Sequence, residues 1–348
     1  MAFTKRHLAI LVLAAVVFYL ARSIDFSSPS EGRFRSYAPE HLPYTAAVVY
    51  LVSVLPGPRN PDQLLASLPL MQKNIPWRQQ WPVLLLHAGA YDTLESRSEF
   101  LDRLRVSAEG QNLTPDDTEK LLKRIEFIPT LHELPPGIPA DGVADGPIWD
   151  GEWPAYHHVC AFFSYKIFNH PRIKDLTYYF RLDDDSHITK PACFDPFEYM
   201  HVHNKSYAFR HEDPDMGWVT EGMWPFVSNY AQRHPEVESR LDRNGWEWPS
   251  NRFWPNNFGQ AENFRSYETN FDLVKVPRFR TPEMTAFLDE LASDPKRFYW
   301  YRWGDAPVRL AQVYMFLDVE NEVHDMCEIS YAHKDYVWPD CECIPLID

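Results

Sequence analysis

Apolar runs and helically spaced stretches alternate along most of the chain. Residues 46–54 (AAVVYLVSV) are continuously apolar, as expected of a strand covered on both faces. Residues 82–87 (PVLLLH) and 125–128 repeat the pattern, and 207–211 and 270–276 (NFDLVKV) predict further strands. Between them, 62–70, 95–105, 118–124, 156–168, 225–234 and 308–317 carry helical spacing, with Asp62 a candidate cap and Thr281-Pro282-Glu283 a further helix start. The Trp-, Asn- and Pro-rich segment 245–258 reads as a loop. Alternating strand and helix predict an α/β fold with a mostly parallel central sheet.

Residues 176–182 are apolar apart from Thr177 and Arg181, and they run straight into Asp183, Asp184 and Asp185. Adjacent carboxylates repel, so a fold keeps them together mainly when a cation compensates. The exit of a strand is also where open α/β sheets place ligands. Oxygen donors of this kind suit Mg²⁺ or Mn²⁺, while a solvated acidic turn is the plainer alternative. Asp272 stands inside an apolar strand, where a lone carboxylate costs several kcal/mol unless it is paired; a structural salt bridge competes with a functional role. Asp305 sits at a Gly-containing helix entry, so helix capping competes there. His333 alone reads better as a satisfied buried histidine, and the stretch around Tyr156, His157 and Cys160 as plain core helix.

A formal charge of -15 over 348 residues argues against nucleic-acid partners. Aromatic residues make up 15% of the chain, which fits sugar or base stacking but also packing. Lys5, Arg6 and His7 precede an uncharged segment, 8–21, closed by Arg22. This pattern predicts an uncleaved signal anchor (1–22), a stem (23–44) and a lumenal domain (45–348), with the short span matched to early secretory membranes. The sequons at Asn112 and Asn204 agree with a lumen. The cysteines at 160, 193, 327, 341 and 343 allow two bridges with one thiol left over, in a pairing the spacing does not fix.

Residues 301–308 (YRWGDAPV) resemble the signature of the fungal type II Golgi α-1,2-mannosyltransferases almost letter for letter. Tyr156-His157-His158-Val159-Cys160, Asn270-Phe271-Asp272-Leu273 and the stretch 330–333 resemble further motifs of that family in the same order. The resemblance implies a nucleotide-sugar-transferase (GT-A-like) fold in a Golgi membrane protein. It also implies a retaining, Mn²⁺-dependent transfer of mannose from GDP-mannose to a terminal mannose of a glycoprotein or glycolipid glycan. It places Asp183, Asp185 and His333 at the metal, Asp272 as nucleophile or its front-face counterpart, and Asp305 as a second acid. Tyr156 and Arg59 fall at the donor. The chain departs from the family pattern with Asp for Glu at 183 and 272, Asp for Pro at 184 and Ala for Arg at 161. A glycan-binding protein that has lost turnover, or a transferase with another nucleotide sugar, are the competing readings.

Overall fold

The computed structural model describes residues 42–57, 60–142, 153–215, 217, 219–248 and 264–343. The segments expected as anchor and stem up to residue 41, Arg59, and residues 249–258 of the expected loop lie outside the described residues. Among the described residues no helix is long and apolar enough to cross a membrane.

The strands are β1 (Ala46–Leu51), β2 (Val83–His87), β3 (Ile125–Pro129), β4 (Tyr178–Leu182), β5 (Ser186–Ile188), β6 (Tyr207–Phe209), β7 (Glu212–Asp215), β8 (Phe264–Tyr267), β9 (Phe271–Lys275), β10 (Val323–Asp325), β11 (Tyr331–His333) and β12 (Tyr336–Val337). The main helices are α1 (Asp62–Asn74), α2 (Leu94–Gly110), α3 (Pro115–Arg124), α4 (Ala155–Ser164), α5 (Pro196–Val202), α6 (Met223–Arg233), α7 (Pro235–Arg243), α8 (Pro282–Ala292) and α9 (Asp305–Phe316). The central sheet has the order β10-β6-β9-β4-β1-β2-β3. Only β9 runs against its neighbours, β4 and β6; the other pairings are parallel.

Both faces of this sheet are covered, which is why β1 is apolar at every position. Ala47 and Val49 join a core with residues of α4 and α6 to α9, whereas Ala46, Val48 and Tyr50 pack with α1, α2, α3 and α5. Helix starts follow local chemistry. Thr93, Thr114 and Thr281 each accept a hydrogen bond from a backbone N–H in the first turn, and Pro115 and Pro282 occupy first-turn positions that need no donor. Asp62 is not the cap expected of it: it lies inside the first turn of α1, and its N–H donates to Asn60 Oδ1 (3.2 Å).

Chain direction positions the site. From β1 the sheet grows outward through β2 and β3, while β4 is added on the other side. The carboxyl ends of β1 and β4 therefore flank a topological switch point. Because β9 is antiparallel and pairs Phe271 with Leu182, Asn270 arrives beside Asp183 at the same edge, where the Asp183 N–H donates to the Asn270 carbonyl (3.2 Å). A second, antiparallel sheet of order β12-β11-β5 continues from that edge, with His333 opposite Ser186. Cys193–Cys343 and Cys327–Cys341 are bridged and Cys160 is a buried free thiol, which supplies the pairing that sequence spacing left open.

Candidate active site

The end of β4 projects the acidic triplet, and the strand alternation of β4 and β9 decides what lies beneath it. Tyr179 and Arg181 face the core that contains α4 and α9, and Asp272 faces the same way from β9, directly opposite Arg181. Arg181 is 3% exposed. Its guanidinium lies 3.5 Å from the ring centroid of Phe163, donates to Asp183 (2.9 and 3.4 Å) and pairs with Asp305. Burial acts to lower its pKa, but the Asp183 and Asp305 carboxylates outweigh that and hold it above the usual arginine range.

Asp305 is 5% exposed and opens α9, but it does not cap it: Gly304 is the N-cap residue and no side chain caps this helix. Its Oδ2 instead accepts from Thr269 Oγ1 (2.8 Å) as well as from Arg181. Asp272 is 0% exposed. Its Oδ2 accepts from the Tyr179 hydroxyl (3.0 Å) and pairs with Arg309 Nη2 of α9 (3.4 Å), with Tyr207 beside it. Burial pushes its carboxyl above the ordinary range against the pull of Arg309 and Arg181. A nucleophile must touch the reacting carbon. The accessible carboxylate that this role requires at Asp272 is not what the fold provides, because β9 turns that side chain under α9. The competing reading, a core ion pair, matches its contacts.

The carboxylate that does meet His333 is Asp185. His333 Nε2 lies 3.0 Å from Asp185 Oδ1, and both side chains are partly exposed. Burial acts to raise the Asp185 pKa, but the His333 hydrogen bond and the charges of His333 and Lys334 hold it below its ordinary value. Asn270 Nδ2 lies 3.1 Å from His333 Nδ1, while its Oδ1 accepts from the Tyr331 hydroxyl (2.8 Å). The amide thus fixes the imidazole plane and leaves Nε2 facing Asp185. Among the described residues, Asp183, Asp185 and His333 do not all three converge on one point: no set of one ligand atom from each has every atom within 4.8 Å of the others. Asp183 is engaged by Arg181 instead, so the expected trio is found as a pair with a separate neighbour. Cys327, Glu328 and Cys341 do come that close, but the two sulfurs are joined as a disulfide.

Tyr156 sits under the Arg302 guanidinium, 4.3 Å from its ring centroid, and Cys160 together with burial raises its phenol pKa. Cys160 in turn lies beside Asp305, so α4 brings the Tyr156 motif to the same acid. Arg181, Thr269 and Arg309 were absent from the residues singled out by sequence. For the two arginines the available signal was the one that marked Asp272: a charge inside an apolar element.

Residues 140–345 match the family described as glycolipid 2-alpha-mannosyltransferase. The O-glycoside alpha-1,2-mannosyltransferase omh1 of Schizosaccharomyces pombe is 29% identical over 201 residues, covering 55% of this chain and 49% of its own length. Alpha-1,2 mannosyltransferase KTR1 of Saccharomyces cerevisiae is 27% identical over 189 residues, covering 53% of this chain and 45% of its own. The chain therefore spans about half the length of these relatives. Among solved structures, core-mannan synthase A of Aspergillus fumigatus in its Mn/GDP form superposes with a TM-score of 0.66 at 20% identity, covering 90% of this chain and 82% of that one. The Saccharomyces cerevisiae mannosyltransferase Ktr4p in complex with GDP gives 0.62 at 20% identity, covering 88% and 77%. These likenesses establish the expected α/β fold, and with more than half of its residues matched the chain belongs to the glycolipid 2-alpha-mannosyltransferase family.

Proposed function

We propose that this chain is a retaining α-1,2-mannosyltransferase that moves mannose from GDP-mannose to a terminal mannose of a glycoprotein or glycolipid glycan. The observation that carries this reading is the Asp185–His333 pair at the carboxyl edge of β4 in a chain of this family. The mixed O/N donor pair fits a divalent cation, with Mn²⁺ favoured over Mg²⁺. Asp185 and His333 would hold it once the Asn270 amide turns its oxygen to accept from Nδ1–H and frees Nε2 of its proton, and the cation would offset charge on the departing GDP. The metal form of the Aspergillus structure supports that choice.

The remaining work falls to the chain itself. Arg181 bridges Asp183 and Asp305, which lie on either side of its guanidinium. Asp272 and Arg309 form the floor beneath them. An enclosed Asp272 favours retention by attack on the face the diphosphate leaves, rather than through a covalent sugar on that carboxylate. Tyr156 and Arg59 are the donor-side contacts in this reading. The segment 1–22 anchors the protein in a Golgi membrane with its catalytic part lumenal, a placement that the two disulfides support. Protease protection of intact vesicles tests that topology.

The direct test incubates the full chain with GDP-mannose and α-methyl mannoside, with Mn²⁺ or with chelator. Mn²⁺-dependent GDP release and α-1,2-linked disaccharide are expected. Donor binding without product across mannose acceptors would instead identify a glycan-binding protein on this fold, and no donor binding would sink the assignment. Competition by other nucleotides separates GDP-mannose from other donors.

A further inference from the structure

Beside the Asp185–His333 pair, β11 and β12 form a tight hairpin whose turn is Lys334 and Asp335, with Lys334 in the left-handed region at φ 53°. The register sets Tyr336 directly opposite His333. Opposed residues of an antiparallel pair project from the same face, so the Tyr336 ring shares the His333 side of the hairpin. Tyr331 and Trp338 share it too. Their rings stack at 5.5 Å and 15°, and Trp338 continues to Tyr336 at 6.4 Å and 27°. Exposure rises along this ladder from the buried Tyr331 to Tyr336, which is 69% exposed. The Cys327–Cys341 bridge closes the segment that contains the hairpin, with the Cys341 N–H donating to the Cys327 carbonyl (3.0 Å). The exposed ring is therefore carried on a cross-linked support, which limits the ordering cost of binding.

We propose that Tyr336 is the stacking platform for the acceptor sugar. The proposal rests on the mannosyl-transfer reading and names the part of the site that reads the acceptor. A pyranose presents an apolar C–H face edged by hydroxyls, and an exposed tyrosine offers an apolar ring with a hydroxyl at its tip. Position favours the acceptor over the donor: in the mannosyl-transfer reading the diphosphate belongs at the partly exposed Asp185–His333 pair, whereas Tyr336, opposite His333 in the register, is 69% exposed and open to a second sugar. Size favours a sugar over a protein partner: on this face the exposed apolar surface is the one Tyr336 ring, since Val337 projects from the other side, against the ~1,000 Å² that a stable protein interface buries.

The test compares the full wild-type chain with Tyr336→Ala, Tyr336→Phe and Tyr336→Trp, using GDP-mannose and α-methyl mannoside. Tyr336→Ala should raise the acceptor KM about tenfold relative to any change in the GDP-mannose KM, the size of one well-placed aromatic contact. Phe and Trp should restore most of it. Unfolding temperature checks that the exposed position can be changed without loss of fold. An unchanged acceptor KM in Tyr336→Ala, or a rise confined to the GDP-mannose KM, overturns the platform while the transfer reading stands. If the wild-type chain makes no product, the transfer reading fails. Saturation-transfer NMR with α-methyl mannoside then decides the platform alone, since equal binding by wild type and Tyr336→Ala overturns it and loss in the variant supports it.

Discussion

Arg181 lies directly opposite Asp272 on neighbouring antiparallel strands, yet it gives its hydrogen bonds to Asp183 and Asp305 and leaves Asp272 to Arg309. The three carboxylates thus share two guanidiniums, one reaching up toward the end of β4 and one held in the core. The triplet that stands out in sequence is the partly exposed rim of a buried charge network, and the stability of that network sets where the rim can be.

Replacing Arg181 with Met leaves Asp305 buried without its cation. Breaking a buried pair in this way costs about 3–5 kcal/mol, so urea unfolding of Arg181→Met should show a loss of that order together with loss of transfer activity. Lys retains the charge but is a point donor that does not reproduce a planar fork bonded to two carboxylates. Arg181→Lys should recover part of the stability and little of the turnover.

Asp272→Asn separates the two roles considered for that residue. As a member of a core ion pair, Asp272 neutralises Arg309, and its amide replacement should destabilise the fold by about 3–5 kcal/mol. Adding Arg309→Met should recover part of that loss, because the guanidinium is no longer left buried without its carboxylate, although Gln312 and the Phe163 carbonyl lose their donor. A variant as stable as wild type but without turnover would return the nucleophile role to Asp272.

How far the sequence reached depends on what each residue had to reveal. Continuous apolar runs located β1, β2 and β4 because strands buried on both faces need nothing else. Acids stranded in apolar surroundings identified Asp272 and Asp305 as unusual. Their partners were not legible, since Arg309 reaches Asp272 from a helix 37 residues away and Arg181 reaches Asp305 across 124. The hairpin carrying His333 and Tyr336 was equally opaque: strands of three and two residues are too short for periodicity. Its aromatic, cysteine-containing composition was visible; its register was not.

Asn270 touches no proposed substrate, but it holds the His333 ring through Nδ1. Outer-shell partners of a metal-binding histidine typically change metal affinity about 10–100-fold when removed. Asn270→Ala should therefore weaken Mn²⁺ binding by roughly that factor in a calorimetric titration. Asp183→Asn should do less, because that carboxylate belongs to Arg181. Equal loss in both variants would show that Asp183 leaves Arg181 to join the metal.

Histidines packed around α4 predict a sensitivity to acid. Burial lowers His132 to about 3, with His158, Lys166 and His170 adding to the effect. Burial likewise lowers His158 to about 4, helped by Lys166 and His157. The folded state therefore binds fewer protons than the unfolded state between the ordinary value near 6.5 and these lowered ones. By linkage, stability is full above about pH 6.5 and falls as pH drops toward 4. Denaturation midpoints across that range should show the fall, and His132→Phe should flatten part of it.

The two bridges act on the segment that delivers His333. Cys327–Cys341 closes a span of 14 residues around the hairpin, and Cys193–Cys343 ties the far end to the approach of α5 across 150 residues. In the chain-entropy account, closing a loop of ~15 residues contributes about 3 kcal/mol and a loop of ~100 nearly 5. Cys193→Ala with Cys343→Ala should therefore cost more global stability than Cys327→Ala with Cys341→Ala. Site function should rank the other way. The short bridge holds β11 and β12 as a unit, so its loss should loosen His333 against Asp185 and reduce Mn²⁺ affinity at temperatures where the domain remains folded. Paired measurements of unfolding and metal binding on the two double variants decide the matter. A drop in metal affinity that merely tracks stability in both would remove any specific role for the short bridge.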